Sequence, residues 1–235
     1  MNSLLTAEWT NLVVATFETE KKFLEKFLPR KTELNDWNGK YFMSLVGFMF
    51  NKPSLWGIPS PIYRQFEEVN LRFYVKNQEG TKKAVVFIKE IAPSYPIGFI
   101  AKYLYHENFI ALPMKHSNQI NNQKRNTEYY WKVNNDWNFL KMKTGLDLDI
   151  EKTPANSLES FIADHYWGYT KSENKTYEFK IQHRPWNIYL SLSFEMNIDS
   201  KELYGEGFAE YFSQKPISAF FMDGSLTKVS SPVLL

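Results

Sequence analysis

The chain has 235 residues, 43% of them hydrophobic and 23% charged, and its 28 Lys and Arg against 26 Asp and Glu leave a formal charge of +2. That length suits one large domain spanning 1–235. The apolar content excludes a disordered chain, and balanced charge without a basic run argues against nucleic-acid binding, which needs many clustered cations. There is no cysteine, which removes disulfides, a thiol nucleophile and Cys-ligated zinc, and suits a reducing cytoplasm. No signal-peptide pattern opens the sequence and no run approaches the ~20 apolar residues of a membrane helix, so no membrane association is expected. The unusual quantity is 17% aromatic residues, from Phe 19, Tyr 14 and Trp 7.

Period-two alternation dominates the chain. Strands are predicted at Glu8–Phe17, Lys40–Phe50, Phe66–Val75 and Lys83–Ile91, then at Thr127–Val133, Trp137–Lys143, Tyr177–His183, Asn187–Asn197 and Ile217–Val229. Many of these are rich in the β-branched and aromatic residues that strands prefer. Between them, Glu20–Leu28 carries Phe23, Leu24, Phe27 and Leu28 at helical spacing and stops at Pro29, which cannot continue the ladder. Ser94 is placed to cap a helix over Tyr95–His106, Ser157 to start one through Ile162, and Asp199 with Glu202 to form a capping box. Pro53, Pro59 and Pro61 mark a rigid loop, and His116–Asn126 reads as a polar one. Lys171–Lys175 is expected to close one hairpin and Asp223-Gly224 another. In Asn187–Asn197 one buried face is expected from Ile188, Leu190, Leu192, Phe194 and Met196.

The most informative strand is Phe66–Val75. Alternation puts Val69, Leu71, Phe73 and Val75 on one face and Glu68, Asn70 and Arg72 together on the other. A carboxylate, an amide and a guanidinium two residues apart suit one small polar ligand, whereas a solvated outer face would carry the same pattern. The strand Val85–Ile91 is apolar on both faces until Lys89 and Glu90, as in the middle of a sheet or a closed barrel. This makes Glu68, Arg72 and Glu90 catalytic candidates, with Asn70 and Arg64 as ligand-binding ones.

Four histidines, His106, His116, His165 and His183, show no metal-ligand spacing, and neither a metal nor an organic cofactor is expected. His165 and His183 stand among large rings at the two ends of a predicted hairpin, close in sequence to Tyr166, Trp167 and Trp186. An imidazole there suits acid–base work or a structural hydrogen bond equally. Neither a glycine-rich phosphate loop nor a GxSxG elbow is present, which removes the commonest nucleotide-binding and α/β-hydrolase readings.

Several blocks together resemble the YqjF-like bacterial family, a domain of unknown function. They are Ala7-Glu8-Trp9-Thr10-Asn11-Leu12, Ser44–Phe48, Phe66–Val75, Val86–Ile91, Asn108–Met114, His165–Thr170 and His183-Arg184-Pro185-Trp186. That family is grouped with acetoacetate decarboxylase-like proteins. The resemblance therefore implies a mainly β (α+β) fold, an antiparallel cone-shaped β-barrel with a few short peripheral helices enclosing a small-molecule cavity. In those decarboxylases a Tyr-x-Glu segment supplies a cavity carboxylate, and Phe66-Glu67-Glu68 matches it through Glu68. Their Pro-Lys-Lys segment forms an imine on its first lysine, which the second activates by lowering its pKa. Here the segment reads Pro113-Met114-Lys115, and a thioether forms no imine.

Two functional classes follow. One is an enzyme acting on a small carboxylic or keto acid, with Arg72 holding a carboxylate and Glu68, Glu90 or His183 moving protons; Lys115, or less readily Lys89 or Lys102, would be its amine. The other is a non-catalytic binder in which Tyr166, Trp167, Trp186, His165 and Met114 surround a mostly apolar small ligand. The partner in both is a small molecule, and a homo-oligomer is compatible with either.

Overall fold

A computed structural model describes residues 3–61, 64–93, 108–146 and 156–235. In chain order the elements are β1 (Ser3–Thr19), α1 (Lys21–Glu25), β2 (Thr32–Leu34), β3 (Tyr41–Leu55), β4 (Ile58–Pro59), β5 (Gln65–Asn77) and β6 (Lys83–Ala92). They continue with β7 (Phe109–Ala111), β8 (Met114–Asn121), β9 (Lys124–Val133), β10 (Asp136–Gly145), α2 (Leu158–Ala163), β11 (Trp167–Ser172) and β12 (Lys175–Gln182). The last are β13 (Ile188–Asn197), α3 (Ser200–Tyr204), α4 (Ala209–Phe212), β14 (Ser218–Ser230) and β15 (Val233–Leu234). The helix expected from Ser94 and the candidate Lys102 lie outside the described residues.

Strand pairing runs β12–β11–β6–β5–β3–β1–β14, and β14 pairs back to β12 through Ile181↔Val229 and Gln182↔Lys228. The seven strands therefore form a closed ring, antiparallel except for the β6–β11 contact at Trp167↔Ala84 and Gly168↔Val85. Closure removes the unpaired edges an open sheet would expose. The interior face is a single buried cluster that includes Leu12, Val14, Val46, Phe48, Val85, Phe179, Ile181, Phe220 and Met222, with Phe161 and Ile162 of α2 packed among them. Beyond the ring, β14 pairs with β13, and β13 leads through β10 and β9 to β8. This extension folds over the outside of β1, β3 and β5, where Tyr129, Trp131, Leu140 and Met142 pack on Val13, Leu45, Leu71 and Phe73. Gly47 makes the close approach possible, since a Cβ there would stand 2.7 Å from the Tyr129 ring.

The short helices follow their sequence signals. Ser157 accepts from the Ser160 N–H ahead of α2, and Asp199 accepts from the Glu202 N–H ahead of α3, each satisfying an orphan donor of a first turn. The Lys171–Lys175 hairpin forms as expected, between β11 and β12 with Ser172↔Lys175 as its last pair.

Three expectations are corrected. Residues 116–126 are not a loop: β8 and β9 pair as a hairpin whose turn residues Asn122 and Gln123 both have positive φ, the geometry two-residue hairpins favour. Asp223-Gly224 does not reverse the chain, because β14 runs unbroken past it. Gly224 has φ +82° and faces the β1 backbone so closely that a Cβ would stand 1.9 Å from the Trp9 carbonyl oxygen. Finally, β13 does not bury one face. Its register against β10 shifts between Thr144↔Ser191 and Lys143↔Ser193, so Tyr189 packs on the outer cluster before the irregularity and Phe194 and Met196 after it, leaving Leu190 and Leu192 exposed.

Candidate functional site

The polar face of β5 points into the ring. Glu68, Asn70 and Arg72 are 9%, 2% and 8% exposed, and Glu90 of β6, in register with Asn70, is 6% exposed. Alternation on β5 alone sets the first three, since Phe66 and Tyr74 at the same parity belong to the interior cluster. Glu90 joins them through a β6 irregularity: Leu71 pairs with Lys89 but Arg72 pairs with Phe87. The residue skipped there, Ile88, packs in the outer cluster, so Glu90 turns inward and Lys89 outward. The Lys89 ammonium donates to the Leu203 carbonyl at the end of α3.

Inside, the Asn70 amide donates to Glu68 Oε1 at 3.1 Å. Burial, and after it the negative charge of Glu90, push the Glu68 carboxyl well above its ordinary range, against the opposing effects of Asn70 and Arg72. A carboxyl held this way keeps its proton to higher pH, as a proton donor requires. The Tyr74 hydroxyl donates to Ser44 Oγ at 2.6 Å, and Ser44 shares a 2.8 Å hydrogen bond with Thr16, all three buried.

A cavity of about 10 Å³ opens beside Arg72, lined also by Trp9, Val85, Ile162, Ala163, Ile181, His165, His183 and Trp186. His165 is buried, and its Nε2 lies 3.1 Å from the Asn35 amide nitrogen. Burial first, then the charges of Arg72 and Lys83, bring its pKa down to about 3, so it is neutral at physiological pH. His183 is lowered too, again chiefly by burial. Its ring stacks on Trp186 at 3.7 Å and 13°, with Tyr166 4.9 Å away, and Nδ1 meets the Arg184 carbonyl at 2.7 Å. The Trp186 indole donates to Ser225.

Other candidates are placed elsewhere. Lys115 is exposed, with its ammonium over the rings of Trp137 (4.3 Å) and Tyr130 (5.0 Å). Met114, half-buried, packs on the outer cluster on the other side of β5 from Glu68. Trp167 also faces outward, under the Lys82 ammonium at 4.4 Å, and Arg64 is exposed ahead of β5. Among the described residues no lysine is buried, and no group of three or more His, Asp or Glu is arranged to hold a metal ion. None of their helices is long and apolar enough to cross a membrane.

Sequence reasoning does not single out Trp9, Tyr74, Ser44 or Asn35. Tyr74 carried a usable signal, because it continues the parity of Glu68, Asn70 and Arg72. Trp9 carried none. Strict alternation pairs it with Val13, but at Asn11, with φ 55°, β1 slips and brings Trp9 to the face of Leu12 and Val14.

The model of DUF2071, described as an uncharacterized conserved protein, matches residues 6–225. The chain belongs to the DUF2071 family. It is 26% identical over 185 residues to the uncharacterized protein YqjF of Bacillus subtilis (strain 168), covering 76% of this chain and 72% of that one. Among solved structures, acetoacetate decarboxylase from Legionella pneumophila superposes with a TM-score of 0.67 at 10% identity over 98% of this chain and 86% of its own. An acetoacetate decarboxylase-like enzyme from Sphingomonas wittichii RW1 gives 0.65 at 10% identity, covering 100% and 94%. The enduracididine biosynthesis enzyme MppR in complex with pyruvate gives 0.65 at 10% identity, covering 100% and 91%. At such identities the likeness establishes the fold, which is acetoacetate decarboxylase-like and mainly β.

Proposed function

We propose that this DUF2071 member binds a small carboxylic or keto acid inside its barrel and acts on it by proton transfer, with Glu68 as the proton-bearing carboxyl and Arg72 as the counter-ion of the ligand's carboxylate. One observation carries the reading: four polar side chains of two neighbouring strands, Glu68, Asn70, Arg72 and Glu90, are all at least nine-tenths buried on the interior face. Burying that much polarity costs several kcal/mol unless something compensates it, so a barrel selected only for stability would fill the space with Leu and Phe. Imine chemistry has no support from the described lysines, because Lys115 and Lys89 both point away from the interior. The reading takes 1–235 as one domain, for which β14 is the support, since it serves the ring and the outer sheet alike. It places the protein in the cytoplasm on the strength of its cysteine-free sequence. A non-catalytic binder of an apolar ligand fits the aromatic mouth at His183 and Trp186 but leaves the four buried polar groups unexplained.

Thermal denaturation with a panel of two- to five-carbon carboxylic and oxo acids tests this. A ligand at 100 times its Kd stabilises the native state by about 2.7 kcal/mol, so at least one acid should raise Tm by several degrees. No shift with any acid, together with no small molecule released from the purified protein in native mass spectrometry, would sink the proposal.

A further inference from the structure

The cavity beside Arg72 is unusual in what its walls leave unpaired. Trp9 Nε1 and Arg72 Nε are buried and make no hydrogen bond, and the two residues are 9% and 8% exposed. Both groups are donors only: an indole N–H has no lone pair to offer and a guanidinium is always charged. His165 Nδ1, on the same wall, also lacks a completed hydrogen bond. With the Asn35 amide donating to Nε2, Nδ1 carries the ring proton, so it is a third donor. The carbonyls of Ile162 and Phe161 face that ring without meeting Nδ1 in hydrogen-bond geometry. The Arg72 guanidinium lies against the Tyr74 hydroxyl and acts on the Glu68 carboxyl, and its Nε is left without an acceptor. The Glu68 carboxyl, two positions beyond Asn70, is bonded to the Asn70 amide.

A wall of unpaired donors, one of them on a guanidinium, asks for an occupant that supplies acceptors, and an anionic acceptor makes the stronger, charge-assisted bond to Arg72. A water supplies acceptors but no charge. At about 10 Å³ the cavity is at the lower limit for one water, so it fits the head of a ligand, and the remainder has to displace part of the wall. Two wall segments lie outside the strand pairing, Ile162–His165 and His183–Trp186, and the second follows directly on the end of β12.

Building on the function proposed above, we infer that Trp9 and Arg72, flanked by His165, form a carboxylate-recognition corner at the His183–Trp186 end of the barrel. The corner selects small oxo acids over their neutral esters, amides and alcohols. Trp9 is thereby a ligand-binding residue. A neutral ester offers a carbonyl oxygen but no charge for Arg72, so it forgoes the charge-assisted hydrogen bond that a carboxylate makes.

The test follows the indole N–H signals of protein labelled with 15N at tryptophan, with Trp9→Phe identifying the Trp9 signal. Titration with pyruvate should shift that signal saturably, and methyl pyruvate at equal concentration should leave it in place. Arg72→Gln should weaken pyruvate binding at least tenfold and Trp9→Phe about threefold to tenfold, with Tm confirming that each variant is folded. If Arg72→Gln does not fold, the pyruvate-against-ester comparison in the unmodified protein decides. Stabilisation by pyruvate with an unmoved Trp9 signal overturns the corner and leaves the binding function standing. Equal shifts with methyl pyruvate overturn the selection for charge. No response to acetate, pyruvate or 2-oxobutanoate at tens of millimolar, in either Tm or the indole signals, overturns both proposals.

Discussion

Two buried groups of opposite character set how stability responds to pH. The Glu68 carboxyl is held above its ordinary range by burial and by Glu90, so between its unfolded and folded pKa the native state binds more protons than the unfolded state. Stability is then present at low pH and lost as pH rises through that window. His165 works the other way, because burial and Arg72 bring its pKa down to about 3 from 6.5. Below pH 6.5 the unfolded histidine takes a proton that the native one refuses, which erodes stability by up to about 1.4 kcal/mol per pH unit as pH falls towards the folded value. In urea titrations from pH 4 to 9 without ligand, Glu68→Gln should flatten the alkaline decline and His165→Gln the acid one. A Glu68→Gln profile that parallels the unmodified protein above pH 5 would show that Glu68 ionises normally.

At the level of elements, the barrel depends on places where strands break their own alternation. Val69, Leu71 and Phe73 against Glu68, Asn70 and Arg72 could be sorted into two faces from sequence, because β5 keeps its parity from Phe66 to Val75. β1, β6 and β13 do not, and there the sequence misleads: Trp9 and Glu90 reach the interior, and Leu190 and Leu192 the surface, through local slips that no residue pattern announces. The Asp223-Gly224 dipeptide shows the same limit. Gly224 does take a positive φ, but within one strand and not between two. Asp223 accepts from the Asn187 backbone N–H and from Arg184, tying the segment between β12 and β13 to β14. Gly224→Ala would impose both a disfavoured φ and a Cβ at 1.9 Å from the Trp9 carbonyl. A loss of at least about 2 kcal/mol in urea denaturation is expected, with the Trp9 environment disturbed first. A cost under 0.5 kcal/mol would mean that β1 and β14 are not held together as closely as the geometry requires.

For the molecule as a whole, the ring is strong on one side and thin on the other. β1 is paired along nearly its whole length with β14 and β3, and β3 from Met43 to Asn51 with β5. The opposite side closes through two pairs between β6 and β11 and two between β12 and β14, aided by the Ser230 hydroxyl accepting from the Lys180 N–H. The cavity and the His183–Trp186 mouth lie on this thin side, since Val85 and Ile181 line the cavity and occupy or adjoin the two short seams. Local opening follows the weakest pairing, and ligand-admitting regions are drawn from the low-stability end of a fold. Amide hydrogen exchange should therefore be slowest in β1, β3 and β5 and orders of magnitude faster at residues 181–187 and at the β6–β11 contact. Pyruvate at saturation should slow exchange at residues 181–187 while leaving β3 unchanged, because a ligand that binds only the closed state suppresses opening in proportion to its occupancy. Uniform exchange around the ring would mean that it opens only by global unfolding, and entry would then have to be sought away from the seam.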